Sequence, residues 1–275
     1  MQLQLRKFDV SNIQDDKIIV LIGKRGTGKT ELLKDILYYK RDFPIGTVIN
    51  PTESANHNFS SIVPPIFIHD EYRPEIIDNV LKRQTQIMKK MHKEDQQFGR
   101  SSIDPRAFLI LDDCLYDNSW KKDKNIRYIV LNGRHKKLFF LVTMQYVLGI
   151  APDLRTNVDY IFICRENIIA NRKRLYDAFA GMFPTFEVFC TVMDQCTENF
   201  ECLVIDNTTR SNRLEDQVYW YKAEMHESFT IGSRALWELH NQTAGDDDEG
   251  EEEMFDIKSF GKKRNSPMVS VKKTY

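Results

Sequence analysis

The sequence lacks any uninterrupted hydrophobic run long enough to cross a bilayer. A membrane-spanning helix needs about 18–20 consecutive apolar residues, and the longest apolar runs here, LFFLV and DYIFIC, have the length of buried strands. The first residues, MQLQLRKFDVSN, also lack the apolar core of a secretory signal peptide. We therefore expect a chain that is not itself a membrane protein and carries no export signal.

Cysteine is scarce, and no two cysteines stand in a CxxC pair. A structural zinc site needs pairs of ligands at short spacing, and a disulfide framework belongs to an oxidising compartment. Reduced cysteines are frequent core residues, so we expect mostly buried thiols in a reducing compartment. The residues concerned are Cys114, Cys164, Cys190, Cys196 and Cys202.

An excess of positive charge is also missing. The chain has 39 Lys and Arg against 40 Asp and Glu, which argues against a static, strongly basic DNA-binding protein. Residues 245–275 begin with GDDDEGEEE and continue with KKRNSPMVSVKK, and such charge blocks bury too little apolar surface to fold. We predict one folded domain over 1–243 and a disordered charged tail over 244–275, an acidic block followed by a basic segment.

The folded part alternates short apolar runs with amphipathic segments. Runs of Ile, Val, Leu and Phe are typical of strands buried on both faces, and the alternation predicts an α/β fold with a mostly parallel central sheet flanked by helices. We predict helices over the segments TELLKDILYYK, PEIIDNVLKRQTQIMKKMHK and RKRLYDAFAGM. We predict strands at 18–23, 46–50, 65–69, 107–113, 137–145, 158–165 and 201–207, with an edge strand at 219–224.

The segment GKRGTGKT (23–30) fits the P-loop pattern G-x-x-x-x-G-K-[ST]. It stands between a predicted strand and a predicted helix, as the pattern requires; the alternative is a glycine-rich turn without chemical meaning. Its N–H groups would cradle phosphates, Lys29 would reach the β- and γ-phosphates, and the Thr30 hydroxyl would bind Mg²⁺. We expect nucleotide contacts from Gly23, Lys24, Arg25, Gly26, Thr27, Gly28, Lys29, Thr30 and Glu31.

Two acidic residues follow the buried run 107–111 in AFLILDD. Asp112 would hold Mg²⁺ through water, as a Walker B aspartate does, and Asp113 would polarise the attacking water. The alternative is a pair of acids that only caps a strand. Asp113 is shorter than the glutamate that is commoner at this position, so its reach as a base is reduced.

Polar residues on either side of the strand at 137–145 extend the predicted catalytic set. Gln145 ends the tripeptide TMQ and would orient water or sense the γ-phosphate, although a glutamine at a strand end means little alone. Phosphoryl transfer also gains from an arginine supplied by a neighbouring subunit. Arg134 precedes this strand and Arg155 follows it; either could point across an interface, and the alternative for each is a surface arginine or an ion pair.

The guanine-recognition motif NKxD is absent, so we expect ATP as the nucleotide. A TxQ-type strand after the Walker B strand predicts that an additional strand separates the P-loop strand from the Walker B strand in space. This additional-strand, RecA-like layout points to motors and recombinase-like ATPases and away from nucleoside kinases.

Five blocks in this order, covering residues 15–210, resemble the poxvirus-type DNA-packaging ATPases of large double-stranded DNA viruses. The blocks are GKRGTGKTELL, INPTESAN, AFLILDDC, NGRHKKLFFLVTMQ and LRTNVDYIF. That family belongs to the FtsK/HerA group of hexameric DNA pumps. The resemblance therefore implies an ATPase that moves double-stranded DNA, with the P-loop NTPase fold.

The resemblance also implies roles for individual residues. It favours Arg134 over Arg155 as the trans-acting arginine, because the arginine of FtsK-like motors precedes the TxQ strand. Asp113 departs from the pattern, since those motors carry a glutamate there. The other implied roles are nucleotide binding for Lys29 and Thr30, Mg²⁺ binding for Asp112, water activation for Asp113 and sensing for Gln145.

The partners implied by the resemblance are double-stranded DNA without sequence preference, further copies of the chain in a hexameric or pentameric ring, and viral capsid or membrane proteins. The implied location is the cytoplasmic virus factory of an infected host cell, or the virion. Phosphate contacts in a central pore need no base specificity. Candidates for them are WKKDKN (120–125) and the basic helix residues Lys82, Arg83, Lys89, Lys90 and Lys93, whose alternative is ordinary solvation.

Two other functions fit parts of the sequence. A small-molecule or nucleotide kinase would need an arginine-bearing lid, which RENIIANRKR (165–174) could imitate. A nucleotide-gated scaffold would use ATP only to switch assembly. A kinase should ignore DNA, and a scaffold should turn over ATP very slowly with or without it.

Overall fold

The structure is a computed structural model, and it describes residues 3–114, 119–147 and 151–246. Within these ranges one sheet contains nine strands. The strands are β1 (Arg6–Lys7), β2 (Ile18–Ile22), β3 (Gly46–Ile49), β4 (Ile68–His69), β5 (Ala107–Leu111), β6 (Leu138–Met144), β7 (Tyr160–Ile163), β8 (Glu201–Asp206) and β9 (Val218–Lys222).

Helices cover both faces of this sheet. The helices are α1 (Lys29–Tyr38), α2 (Glu53–Asn56), α3 (Pro74–Phe98), α4 (Lys124–Asn132), α5 (Pro152–Arg155), α6 (Ile169–Phe179), α7 (Phe186–Cys196), α8 (Leu214–Gln217) and α9 (Arg234–Asp246).

The strand order is β1-β9-β8-β7-β2-β6-β5-β3-β4. The six strands from β4 to β7 in this order are parallel, while β8 runs antiparallel to both β7 and β9. Strand β6 lies between the P-loop strand β2 and the strand β5 that precedes the paired aspartates. This order confirms the predicted α/β fold with a mostly parallel sheet and an additional strand.

The alternation of side chains along β2 divides the core into two layers. Ile18, Val20 and Ile22 face one layer, and Ile19 and Leu21 face the other, with all five buried. Helix α1 packs on the second layer, whereas α4, α6 and α7 pack on the first. A sheet covered on both faces explains why its central strands read as continuous apolar runs.

Several elements differ from the sequence prediction. Residues 65–67 form a 3₁₀ turn, and only 68–69 pair as a strand. Strand β9 is not at the edge, because the polar two-residue strand β1 pairs outside it. Helices α4 and α7 were not predicted, although Asp123 and Thr185 cap their amino ends by accepting the N–H groups of Asn125 and Val188. Their apolar periods are short, because they have only 9 and 11 residues.

The end of the folded domain also differs in detail from the predicted boundary. Helix α9 continues to Asp246, so the first three residues of the predicted tail 244–275 are helical. The remaining part of that tail, from 247 onward, lies outside the described residues. The division into a domain and a charged tail therefore stays a prediction.

Candidate nucleotide-binding site

The glycines of the P-loop adopt backbone conformations that other residues rarely take. Gly26 and Gly28 have φ angles of 77° and 90°, in the left-handed region that favours glycine. A Cβ atom on Gly23 would lie 2.6 Å from both Cys164 Cβ and Thr27 Oγ1. The loop therefore needs glycine twice for its shape and once for its close packing on β7.

Helix α1 begins at Lys29, directly after Gly28, so its N–H groups point toward the loop and favour an anion there. Lys29 Nζ donates a hydrogen bond to the carbonyl oxygen of Lys24 at 2.9 Å, and Thr27 Oγ1 donates to the same oxygen at 2.7 Å. Burial lowers the pKa of Lys29, while the thiol of Cys164 and the nearby aspartates raise it. The ammonium group thus lies across the loop, where phosphates would bind.

The two predicted aspartates lie at the carboxyl end of β5, and both form a hydrogen bond with Thr143, a residue of β6. The Thr143 hydroxyl donates to Asp112 Oδ1 at 2.6 Å and accepts from the Asp113 N–H at 2.9 Å. Burial raises the pKa of Asp112 and the charge of Asp113 raises it further, whereas Thr143 and Lys29 oppose the shift. Asp112 is thus a buried carboxylate close to the P-loop.

Gln145 lies where the prediction places it, beside the second aspartate. Its Nε2 atom donates to Asp113 Oδ1 at 2.8 Å. Asp113 itself has a left-handed φ of 51°, a conformation that is uncommon outside glycine but tolerated by aspartate. The structure therefore brings Asp112, Asp113 and Gln145 together at the carboxyl ends of the parallel strands, next to Lys29.

Thr143 is a site residue that the sequence reasoning missed. Leu111 pairs with Val142 in the register of β5 and β6, which places the next residues, Asp112 and Thr143, side by side. The threonine is buried, with 1% of its surface exposed. Its position in TMQ, two residues before Gln145, was the available signal.

Arg134 lies near the amino end of β2, opposite the end that carries the P-loop. Its Nη2 atom donates to Asp159 Oδ1 at 2.8 Å, and Asp159 Oδ2 accepts the N–H of Ile18 at 2.9 Å. Ile18 opens β2, whereas the P-loop follows the carboxyl end of β2, about 13 Å further along the strand at 3.3 Å per residue. Arg134 therefore cannot reach the P-loop of its own chain, and its side chain is 49% exposed.

Arg155, the alternative arginine, ends helix α5. Its guanidinium lies 5.9 Å from the ring centroid of Phe179 on α6, a cation–π distance. This contact lies within the chain's own first core layer. Arg155 is thus half-buried and in contact with its own chain, whereas Arg134 is exposed.

The outer residues of the P-loop make contacts within the chain. Lys24 Nζ forms an ion pair with Glu166 Oε1 at 2.7 Å, and Glu166 is buried. Arg25 is exposed, and Glu31 lies 3.5 Å from Lys34 Nζ. Glu166 was not predicted as a site residue, because its role depends on the end of β7 reaching the loop.

The segment RENIIANRKR does not form an arginine-bearing lid. Arg172 is buried, and it donates to the carbonyl oxygen of Glu166 at 2.6 Å and to Asp194 of α7 at 2.6 Å. Arg165 is exposed and donates to Asn167. Arg174 is exposed, donates to Asn171 at 3.3 Å and lines the cavity beside Gly23 and Gln145. Arg172, the central arginine of this segment, is thus taken up in anchoring α6, which leaves Arg165 and Arg174 as its exposed arginines.

The predicted DNA-contact segments are largely helical and do not form loops. Within 120–125, Trp120 is buried and Asp123 caps α4 by accepting the Asn125 N–H at 2.7 Å. On α3, Arg83 is half-buried and hydrogen-bonded to Gln84, so it does not belong to the exposed basic face. The exposed lysines are Lys82, Lys89, Lys90 and Lys93 on α3, and Lys122 and Lys124 next to Trp120.

In the described part of the chain, no helix is both long and apolar enough to span a bilayer. Over the same residues, no three His, Cys, Asp or Glu side chains cluster as a metal-binding group. Cys114, Cys164 and Cys202 are buried, in agreement with the expectation of core thiols.

Comparison with known proteins adds a family and a fold. A family model described as Poxvirus A32 protein matches residues 5–213. An uncharacterized protein of Acanthamoeba polyphaga mimivirus is 39% identical over 242 residues, covering 88% of this chain and 84% of that protein. An uncharacterized protein of Invertebrate iridescent virus 6 is 40% identical over 221 residues, covering 79% and 81%.

Solved structures share the fold at low sequence identity. The genome packaging NTPase of Sulfolobus turreted icosahedral virus 2 in complex with AMP has a TM-score of 0.53 at 16% identity, covering 78% of this chain and all of that one. The pCW3 conjugation coupling protein TcpA, in its monomer form with ATPγS, has a TM-score of 0.50 at 12% identity, covering 85% and 66%. These likenesses show the P-loop NTPase fold.

Proposed function

The chain belongs to the Poxvirus A32 protein family, and from this premise we propose that it is an ATP-driven translocase of double-stranded DNA that packages a viral genome into a capsid. The family, the fold and the viral relatives together support a packaging NTPase. The observation that carries the proposal is the network of Asp112, Thr143, Asp113 and Gln145 beside the P-loop. Movement of DNA and assembly into a ring are the further parts of the proposal.

The chain's own residues suit ATP binding and hydrolysis. The loop N–H groups and Lys29 would hold the phosphates, and Asp113, oriented by Gln145, would accept a proton from the attacking water. Thr30 and Asp112 would hold Mg²⁺, which when bound supplies positive charge next to the phosphates. The oxygen donors fit the preference of this ion, and a cation would compensate the buried carboxylate of Asp112, whose pKa is raised by burial.

The positions of Lys29 and Arg134 support hydrolysis at subunit interfaces. The P-loop follows the carboxyl end of β2, and Arg134 lies near its amino end. Head-to-tail packing of identical chains brings opposite surfaces together and closes into a ring when the rotation permits. In a hexamer or pentamer of this kind, Arg134 of one chain would face the P-loop of its neighbour.

The remaining partners follow from this role. Exposed lysines on α3 and beside Trp120 would contact DNA phosphates without sequence preference, and viral capsid or membrane proteins would recruit the motor. The site of action would be the cytoplasmic virus factory or the virion.

The first test is the ATPase rate of the purified chain with and without linear double-stranded DNA. We expect stimulation by DNA of any sequence, which weakens as salt rises because phosphate contacts are screened. A Lys29→Ala variant, with Lys34→Ala as the matched control on the same helix, should lose the activity. A rate that ignores DNA would favour a kinase, and very slow turnover in both conditions would favour a nucleotide-gated scaffold.

A further inference from the structure

Phe200 is an exposed aromatic side chain that lies against the P-loop. It precedes β8, and 68% of its surface is exposed. Its Cδ1 atom lies 3.4 Å from the position that a Cβ atom would take on Gly28, which is ordinary van der Waals contact. The ring therefore borders the phosphate cradle while most of its surface stays open to solvent.

The backbone holds this ring in a conformation that costs free energy. Asn199 and Phe200 have consecutive φ angles of 51° and 65°, and a bulky residue in the left-handed region is an outlier. The Glu201 N–H closes this turn by donating to Glu198 O at 2.8 Å, and the buried Thr197 hydroxyl fixes the chain before it by donating to Met193 O at 2.6 Å. Strain of this kind persists where the surrounding structure enforces it and often marks a functional site.

The direction of a bound nucleotide follows from the strand order. Asp113 and Gln145, the groups for hydrolysis, lie on the β5 and β6 side of the P-loop strand β2. The terminal phosphate must point to that side, so the nucleoside must extend to the other side, toward β7 and β8. Strand β8 runs antiparallel to β7, and its amino end, where Phe200 lies, is therefore at the same edge of the sheet as the P-loop.

We infer that Phe200 provides the stacking surface for the nucleobase of the bound nucleotide. This inference rests on the proposed function, since it assigns the base end of the nucleotide whose phosphates the P-loop holds. The flat, solvent-facing ring beside Gly28 matches the flat face of a purine. Stacking on an aromatic ring is tolerant of base identity, because every base has a π-face.

The experiment compares two probes by calorimetry in the presence of Mg²⁺. ADP carries a base, whereas inorganic tripolyphosphate offers only phosphates. We expect Phe200→Ala to weaken ADP binding about 5- to 150-fold, the range of base–aromatic stacking, and to leave tripolyphosphate binding unchanged. Phe98→Ala is the matched control, because Phe98 is an exposed phenylalanine (70%) at the end of α3.

Two further variants guard against an effect on folding. Phe200→Gly removes the ring and suits the left-handed backbone, so it should melt no lower than the wild type and still lose ADP affinity. Phe200→Trp keeps an aromatic face, so it should retain ADP affinity, and its added fluorescence should be quenched by ADP but not by tripolyphosphate.

The binding of ADP and tripolyphosphate by these variants decides whether Phe200 stacks on the base. Unchanged ADP binding in Phe200→Ala and Phe200→Gly would overturn the stacking role. Equal weakening of ADP and tripolyphosphate would also overturn it, because the ring would then act on the shape of the loop. If the wild type bound neither probe, the proposed function itself would fail, a result distinct from the failure of Phe200 alone.

Discussion

Arg134 and Gln145 lie near opposite ends of a single strand, β6, and the seven buried residues Leu138–Met144 separate them. Gln145 contacts Asp113 next to the P-loop, while Arg134 pairs with Asp159 at the far edge of the sheet. Seven residues of strand span about 23 Å. If both residues serve one hydrolytic reaction, they must come from different copies of the chain.

Mixing two inactive variants tests this arrangement. Arg134→Ala should bind ATP normally and lose about three to five orders of magnitude in rate, the worth of an arginine finger. Lys29→Ala should fail in binding. A mixture of the two chains contains interfaces where an intact P-loop faces an intact arginine, so the mixture should hydrolyse ATP in a steady-state assay.

The control for the mixing assay is Arg155→Ala, which should keep appreciable activity on its own. Folding of Arg134→Ala should be retained, because Asp159 keeps the Ile18 N–H and has Lys17 at 3.6 Å. No recovery despite demonstrated co-assembly would argue against a site shared in this way. Recovery with Arg155→Ala in place of Arg134→Ala would show that the other arginine acts across the interface.

Thr143→Val should damage both stability and the metal site. The variant removes the hydroxyl that bridges Asp112 and the Asp113 N–H. The buried Asp112 carboxylate then lacks that partner, at about 1–3 kcal/mol, and the partly buried Asp113 N–H adds a smaller cost. Chemical denaturation should show the lower free energy of unfolding, and ATP hydrolysis should need a higher Mg²⁺ concentration. Thr143→Ser keeps the hydroxyl and should retain most activity; equal defects in the two variants would contradict the bridging role.

The two aspartates should differ in kinetics. Asp113→Asn preserves shape and removes the base, so Mg²⁺–ATP should bind nearly normally and be hydrolysed slowly. Asp112→Asn should instead shift the Mg²⁺ concentration needed for activity. Titrations of ATP and Mg²⁺ against the hydrolysis rate separate these effects, and identical defects would show that the division of roles is wrong.

Asp112→Asn should also raise the stability of the nucleotide-free chain near neutral pH. Burial raises the pKa of Asp112 above its ordinary value of 3.8, so the folded state holds the proton more tightly than the unfolded state. The contribution of Asp112 to the stability of the wild type is therefore fully present below about pH 3.8 and is lost as pH rises through the raised pKa. The asparagine removes this loss, so the difference between the variants should grow with pH.

Thermal melts from pH 4 to pH 7 measure this difference. Each kcal/mol gained should raise Tm by about 2–4 °C for a chain of this size. A lower Tm for Asp112→Asn at pH 7 would mean that Lys29 already compensates the buried charge.

The sequence was informative where a function needs a local pattern. The P-loop requires glycines at fixed positions between a strand and a helix, and paired aspartates directly follow an apolar strand, so both were predictable. Thr143 and Glu166 were not, because their roles depend on strand register and on how the end of β7 meets the loop. Phe200 was not predicted for the same reason, because it lies at the P-loop only as a result of the antiparallel pairing of β8 with β7.

The fold showed the same division. Buried central strands were predicted to within two residues at each end, because both faces of each strand are apolar. The polar strand β1 was missed, since Arg6 and Lys7 carry no hydrophobic pattern and pair only because β9 offers an edge. The predicted position of β9 at the edge was wrong for that reason.

Displacement of a third DNA strand tests the central claim of an ATP-driven DNA motor most directly. A fluorescent triplex-forming strand is annealed to linear double-stranded DNA, and its release by the purified chain is followed over time. We predict release with ATP but not with ATPγS, a lag that lengthens with the distance between DNA end and triplex, and no release by Lys29→Ala. DNA-stimulated ATP hydrolysis without any release of the third strand would contradict the account.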